Sequence, residues 1–217
     1  MLVSNDYVNK QFVVTVREHD SMKKAVDILA DSGYRCIPVL DKTGEKYVGN
    51  IYKVDLLKFE RENDSLDQPL TELIDNKENG DIKEDAPFFK VFSSIKQLPF
   101  LAVVDDDRNF LGILTNGNVI QVLENAWGVH NGSFSLTIGT IEYAGALTKI
   151  LRIINEHCNV QSVISLNHNS KYVRRVCVVL PEEVKEPLMK TIVEELEENN
   201  LTVTDVEKLA KESPIRK

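Results

Sequence analysis

The 217-residue sequence contains an internal repeat, which restricts its fold more than any other feature. In the first copy, apolar positions 22, 25, 26 and 29 have helical spacing, and Asp20 or Ser21 can cap that helix. Gly33 is expected to end the helix, because glycine readily adopts the left-handed conformation found there. The rest of the copy is predicted as a buried strand over 36–40, a turn through Gly44, a strand over 47–52 and a helix beginning near Asp55.

The same order of elements returns about 63 residues later. Residues 82–85 lead to Pro87 at the start of a predicted helix, whose apolar face consists of Phe88, Val91, Phe92 and Ile95. A buried strand over 101–105, a turn over 106–109, a strand over 111–115 and a helix opening at Asn118 follow. Each copy is therefore predicted as β-α-β-β-α. One copy alone has too little core to be stable, so the two copies are expected to pack together.

The remainder of the chain predicts a differently built domain. Phe134, Leu136 and Ile138 alternate as a strand, and apolar residues at 147, 150, 151, 154 and 158 repeat at helical spacing. Two strand-like runs over 160–166 and 172–180, a helix marked by Pro181 and Pro187, and a last strand over 203–206 follow. This order, β-α-β-β-α-β, is that of a ferredoxin-like fold.

The fold class expected for the whole chain is α/β (α+β), with two repeats packed as one module before the ferredoxin-like domain. The predicted boundaries are 1–60 for the first repeat, 61–81 for a linker, 82–127 for the second repeat, 128–132 for a hinge, 133–210 for the last domain and 211–217 for a tail.

Charge and motif content exclude several functional classes. Twenty-six basic and 34 acidic residues give a net charge of −8, which argues against binding of nucleic acid polymers but not of a small anion. The cysteines Cys36, Cys158 and Cys177 form no CxxC pair, so neither a metal site nor a disulfide framework is expected. No signal peptide or membrane-length apolar stretch is present, so we expect a cytoplasmic protein with no membrane partner. No catalytic motif appears, and no enzymatic activity is predicted.

The two repeats, over about residues 1–127, resemble a tandem pair of CBS domains, a Bateman module. The matching stretches are 20–29, 35–41, 49–56 and 112–119. The last two stretches are similar to the family signature of a glycine, two hydrophobic residues, Thr or Ser, two further residues and Asp. The signature begins at Gly49 in the first copy and at Gly112 in the second.

Residues 133–210 resemble an ACT domain. The stretch 142–150 is similar to the ACT turn pattern Asp-x-x-Gly-x-Leu-x-x-Ile, with Glu142 in place of the aspartate. The combination resembles CBS–ACT regulatory proteins of Gram-positive bacteria, which include acetoin-utilisation-type proteins and receptors for cyclic di-AMP.

The resemblance implies that an adenosine nucleotide binds between the repeats, with no other cofactor. Asp55 or Asn118 would hold the ribose, Arg35 or Lys53 would contact a phosphate, and Thr115 would present its hydroxyl to phosphate oxygens. The implied nucleotide-binding residues are Thr15, Val16, Arg35, Cys36, Ile37, Tyr52, Lys53, Asp55, Leu101, Ala102, Thr115, Asn116 and Asn118.

Both copies depart from the signature. Tyr52 stands at the Thr or Ser position of the first copy, and Asn118 stands at the Asp position of the second. Whether one or both clefts are occupied therefore stays open. The residues also have plain structural interpretations: Tyr52 and Ile37 as core, Lys53 as a solvated charge and Asp55 as a helix cap.

For the ACT-like part the resemblance implies either a dimer interface or an effector site at Glu142, Gly145, Ala146 and Leu147. Gly145 suits close approach of a ligand, and suits plain packing equally well. The predicted function is a non-catalytic sensor, a homodimer that acts on a partner protein, with cyclic di-AMP favoured over AMP, ADP or ATP. The alternatives are a structural adaptor with degenerate clefts that docks a partner enzyme, and an enzyme with an unrecognised site.

Overall fold

The computed structural model describes residues 3–63, 65–75, 80–140, 145–167 and 174–209. The chain divides into two compact units, Met1–Ile120 and Gln121–Lys217. The first strand and first repeat comprise β1 (Val8–Asn9), β2 (Val16–Arg17), α1 (Met22–Ser32), β3 (Cys36–Leu40), β4 (Tyr47–Tyr52) and α2 (Lys53–Glu62). The second repeat comprises β5 (Asp81–Lys83), α3 (Val91–Ser94), β6 (Phe100–Val104), β7 (Phe110–Thr115) and α4 (Asn116–Trp127).

The first repeat forms as the sequence predicts. The Ser21 hydroxyl accepts the Lys24 N–H at 3.3 Å and caps α1, which ends at Gly33 with a φ of 72°. The strands β3 and β4 have the predicted bounds, and α2 begins at Lys53, two residues earlier than predicted.

The prediction of one helix after Pro87 is wrong in one respect, because the observed segment is not a continuous α-helix. Only α3 is α-helical, and the 3-10 turns Phe88–Lys90 and Ile95–Gln97 flank it. The segment ends at Leu98, which is extended with a ψ of 147°. A residue before a proline disfavours the helical conformation, and Pro99 follows Leu98 directly.

Each repeat contributes its own sheet to the first unit. The first strand of each repeat pairs parallel with the second, and the second and third form an antiparallel hairpin, giving the orders β2-β3-β4 and β5-β6-β7. The sequence did not predict β1, which pairs antiparallel with β7 through Val8 opposite Ile113 and Asn9 opposite Gly112. The chain therefore begins by adding an edge strand to the sheet of the second repeat.

Part of the segment predicted as a linker packs against the first repeat. Leu70 is fully buried in the core of that repeat, at the start of the 3-10 turn Leu70–Glu72. The backbone of Asp75 forms two hydrogen bonds of 2.8 Å with that of Asn50 on β4. A Cβ at the neighbouring Gly49 would lie 2.6 Å from the Asp75 carbonyl oxygen, so this approach requires glycine.

The two repeats share apolar contacts. Leu40 and Tyr47 of the first repeat form one buried cluster with Ala102, Val104 and Phe110 of the second. The rings of Tyr47 and Phe110 stack with centroids 6.4 Å apart. This cluster supports the expectation that neither copy buries enough surface alone.

The second unit confirms the predicted ferredoxin-like order. It comprises β8 (Gly132–Thr140), α5 (Ala146–Asn155), β9 (Ser162–Asn167), β10 (Arg174–Pro181), α6 (Glu186–Glu198) and β11 (Thr202–Lys208). Its antiparallel sheet has the order β11-β8-β10-β9. Leu136 and Ile138 alternate toward the two helices, where Ile150 of α5 and Ile192 of α6 complete a buried cluster. Within the described ranges, no helix is long and apolar enough to cross a membrane.

Candidate functional site

The first unit contains a cleft of about 410 Å³ between its two repeats. Its walls come from β1 and the segment after it, the start of β3, the start of β6 and the end of β7. The lining residues are Val8, Phe12, Val13, Val14, Gly33, Tyr34, Arg35, Cys36, Ile37, Pro38, Pro99, Phe100, Ile113 and Thr115.

The cleft joins corresponding positions of the two copies. Cys36 pairs with Tyr52 as the first pair of the β3–β4 hairpin, and Phe100 pairs with Thr115 as the first pair of the β6–β7 hairpin. The starts of the two buried strands thus meet at one cavity. A ligand in this cavity contacts both repeats at once.

The chemistry of the lining is apolar and aromatic with one cation. Phe12 and Tyr34 are 73% and 53% exposed, which is unusual for large aromatic side chains and leaves their rings available to a ligand. Arg35 is the one charged residue among the described residues of the lining, and it can bind a phosphate through two parallel hydrogen bonds. An exposed aromatic ring can stack on a planar base, so the cleft suits a base with one nearby anionic group.

Thr115 at the cleft is hydrogen-bonded to Asn118 on the first turn of α4. Asn118 Oδ1 accepts two hydrogen bonds from Thr115, one from the hydroxyl at 2.5 Å and one from the backbone N–H at 3.1 Å. In return, the Asn118 backbone N–H donates to Thr115 Oγ at 3.2 Å. This is a capping box with asparagine in the third helical position. The Asn118 NH₂ group has no partner among the described residues and remains available as a donor.

Cys36 and Tyr52 lie opposite each other as the first pair of the first hairpin. Burial raises the pKa of the Cys36 thiol to about 12 and that of the Tyr52 hydroxyl to about 12. Because the thiolate is the nucleophilic form, Cys36 is unreactive near neutral pH and acts as an apolar wall of the cleft.

Lys53 and Asp55, predicted to contact phosphate and ribose, do not line this cleft. The Lys53 N–H donates to the Arg35 carbonyl at 2.9 Å, which ties the start of α2 to the start of β3. Asp55 lies 3.5 Å from Lys58 one turn along the same helix. The cation that the fold does bring to the cleft is Arg35.

Other predicted residues lie in or near the core. Val16, Leu101 and Ala102 are almost fully buried, so their side chains offer no surface to a ligand in this conformation. Thr15 is half-buried outside the lining, and the exposed Asn116 donates its side-chain N–H to the Leu98 carbonyl at 3.2 Å. The structure thus brings Arg35, Cys36, Ile37 and Thr115 to the cleft and leaves Thr15, Val16, Tyr52, Lys53, Asp55, Leu101, Ala102, Asn116 and Asn118 out of its lining.

In the second unit, the predicted effector turn is only partly described. Glu142 lies outside the described residues. Gly145 precedes α5 with a φ of 94°, a conformation that favours glycine, and a Cβ there would meet no described atom within 4 Å. Ala146 is buried, whereas Leu147 is exposed.

Sequence reasoning missed the two exposed aromatic residues of the cleft, Phe12 and Tyr34. Phe12 lies between β1 and β2 and belongs to no repeated element, so nothing in the repeat pointed to it. Tyr34 stands directly before Arg35, and this adjacency was the available signal. Among the described residues, no group of three His, Cys, Asp or Glu side chains is placed to hold a metal ion.

Comparison with known proteins identifies the fold of the first unit. The family model described as CBS domain matches residues 3–62. A hypothetical conserved protein from Geobacillus kaustophilus is 27% identical, with a TM-score of 0.51 over 57% of this chain and 96% of that one. No curated protein sequence matches the chain.

Two further solved structures share the fold at lower identity. CbpB, crystallised in complex with c-di-AMP, is 22% identical, with a TM-score of 0.52 over 57% of this chain and 85% of that one. CBSX2, in complex with AMP, is 22% identical, with a TM-score of 0.50 over 56% and 95% of the two chains. The N-terminal 57% or so of the chain therefore has the fold of a CBS domain pair.

Proposed function

We propose that this protein is a ligand-sensing regulator that binds an adenine nucleotide in the cleft of its CBS pair. The observation that carries the proposal is the cavity of about 410 Å³, in which two exposed aromatic rings and Arg35 meet where the repeats join. Proteins of the same fold have been crystallised with c-di-AMP and with AMP, which supports this class of ligand.

Among adenine nucleotides, cyclic di-AMP is the preferred ligand, followed by AMP. In the part of the lining that the structure describes, Arg35 is the one charged residue, so the cleft matches one phosphate per adenosine. A di- or triphosphate would bring additional negative charges that no lining residue neutralises. ADP and ATP are therefore expected to bind more weakly than cyclic di-AMP or AMP.

Regulation follows from the position of the cleft. A nucleotide that contacts both repeats stabilises the relative arrangement of the repeats to which it binds most tightly. The population shifts toward that arrangement by an amount set by the difference in the nucleotide's affinity between the arrangements. The ACT-like unit would then form a dimer interface or bind a second effector, and a partner protein would respond to the change. In this proposal the protein catalyses no reaction.

The test is a titration by isothermal calorimetry and thermal shift with cyclic di-AMP, AMP, ADP and ATP. A ligand at 100 times its Kd should stabilise the protein by about 2.7 kcal/mol. Arg35→Gln should weaken binding at least tenfold, whereas Arg61→Gln, an equal charge change at an exposed site on α2, should leave binding unchanged. If no nucleotide binds, the sensor is excluded and the structural adaptor becomes the better interpretation.

A further inference from the structure

The second unit contains a cavity of its own, of about 480 Å³. It lies at the end of the sheet where β8 begins and where β10 and β11 end, since Gly132 pairs with Pro181 and Phe134 pairs with Lys208. The predicted effector turn follows the opposite end of β8. The cavity is lined by Gly132, Ser133, Phe134, Glu182, Val184, Lys185, Glu186, Lys208 and Leu209.

The floor of this cavity is apolar. Phe134 and Val184 are buried, and the half-buried Leu209 lies beside them. The Ser133 hydroxyl donates to the Pro181 carbonyl at 2.8 Å, so it is already satisfied within the protein. The floor therefore favours an apolar group of a ligand over a polar one.

The rim carries two lysines whose side chains form no salt bridge within the described part of the chain. The side chains of Lys185 and Lys208 have no hydrogen bond or salt bridge among the described residues. The hydrogen bond and the charge of Lys190 and, to a lesser extent, the charge of Lys208 lower the pKa of the Glu186 carboxyl. Of the two glutamates in the lining, Glu186 is bonded to Lys190 at 2.9 Å, and Glu182 has an interaction of its own. Lys185 is also the N-cap residue of α6, where the helix dipole adds positive potential.

We propose that this cavity is a second ligand site, which binds a small organic carboxylate with an apolar body. The body would contact Phe134, Val184 and Leu209, and the carboxylate would lie between Lys185 and Lys208. Gly132 follows directly on the connection from α4, and a Cβ on it would lie 3.0 Å from the Gly128 carbonyl oxygen. The ligand would therefore contact the residues at which the connection enters the sheet.

The test uses matched pairs of an acid and its neutral amide on the full chain. The probes are 3-phenylpropionate with 3-phenylpropionamide, and 4-methylpentanoate with its amide, titrated to about 10 mM by calorimetry and NMR. The acids should bind at least tenfold more tightly than the amides. Amide resonances of Ser133, Phe134 and Lys208 should shift, and those of residues 145–147 should not.

Charge variants locate the site. The double variant Lys185→Gln/Lys208→Gln should weaken acid binding at least tenfold, whereas Arg152→Gln, at an exposed site on α5 outside the lining, should not change it. Adenine nucleotide binding by the double variant should match that of the unsubstituted protein, which confirms folding and separates this site from the first cleft. Equal affinity for acid and amide, acid binding unchanged in the double variant, or no binding up to the highest concentration would each overturn the proposal.

Discussion

Thr115 and Asn118 bind each other reciprocally at the start of α4, and this contact links the cleft to the helix that closes the second repeat. The Thr115 hydroxyl both donates to Asn118 Oδ1 and accepts the Asn118 N–H. At the corresponding position of the first repeat, Tyr52 caps α2 with no side-chain hydrogen bond. The two repeats therefore share a backbone plan but differ in how their closing helices begin.

Removal of this cap should destabilise the protein. Thr115→Ala should lower the free energy of unfolding by about 1 kcal/mol, because the α4 amides lose their side-chain acceptor. Thr115→Ser keeps the hydroxyl and should retain most of the stability. Urea denaturation measures both values, and equal losses in the two variants would contradict a capping role.

The acid stability of the first repeat should depend on Asp41. Its carboxylate accepts the Lys46 N–H, the Thr43 hydroxyl and the N–H groups of Glu45 and Gly44, and these bonds lower its pKa to about 2. Ionised Asp41 therefore stabilises the folded state above the unfolded pKa of about 4, and this contribution is lost as the pH falls toward 2.

The prediction is tested with Asp41→Asn. The variant should melt at a lower temperature than the unsubstituted protein at pH 6, and the difference between them should shrink as the pH is lowered to 3. A difference that stays constant with pH would mean that the charge of Asp41 does not contribute. Thermal denaturation followed by circular dichroism provides the measurement.

The aromatic lining should determine nucleotide affinity. Stacking of a base on an aromatic side chain contributes about 1–3 kcal/mol, so Phe12→Ala and Tyr34→Ala should each weaken binding by roughly tenfold. Phe89→Ala is the matched control, because Phe89 is highly exposed and lies outside the cleft. Calorimetric titration decides the point, and a loss in the control equal to that in the test variants would rule out stacking at the cleft.

Gly112 should be required for docking of the first strand. A Cβ at this position would lie 2.0 Å from the Val8 carbonyl oxygen and 2.7 Å from Tyr7 Cδ2, so Gly112→Ala should release β1 from β7. Amides of residues 8–13 should then exchange faster with deuterium, and nucleotide affinity should fall. In Gly117→Ala the added Cβ would meet Thr115 Oγ at 3.5 Å and no other described atom within 4 Å, so exchange in residues 8–13 should stay slow.

Besides the dimer interface proposed for the ACT-like unit, the exposed face of α2 in the first unit is expected to contribute an apolar contact between two copies of the chain. Val54 and Leu57 lie one turn apart on this helix, and both are about half exposed. Leu57→Glu should therefore shift the protein toward monomer in analytical ultracentrifugation, because it places a charge in an apolar contact. Phe89→Glu is the control, because it tests whether a charge at any exposed apolar residue shifts the protein toward monomer. A dimer that persists in Leu57→Glu would show that the interface does not include this face of α2.

Local patterns were sufficient to predict most of the fold. The apolar run 36–40 and the glycine at 33 gave the correct strand and helix end, because both depend on neighbouring residues. The broken helix around α3 was missed because Pro99, beyond the helical pattern, limits its end. The pairing of β1 with β7 was missed because a two-residue strand has no periodicity of its own.

The candidate site was less accessible from sequence than the fold. Arg35 and Thr115 were found because they stand beside repeated elements, and both line the cleft. Lys53 follows a strand end in the same way, yet it does not line the cleft. Sequence spacing indicates which residues are near a strand end, but the packing of the two repeats decides which of them meet.

The pairing of Val8 with Ile113 also affects the order in which the protein can be made. These residues are more than a hundred positions apart. The start of β3 is the only described wall of the cleft that the first repeat forms by itself. The other walls belong to β6 and β7, which are synthesised later, or to the segment at β1, which packs against β7. During synthesis, which proceeds from the N-terminus, β1 has no partner until β7 has left the ribosome. Contacts between such distant residues also slow folding. A truncated chain that ends before residue 110 therefore contains the first repeat but cannot form the binding cleft.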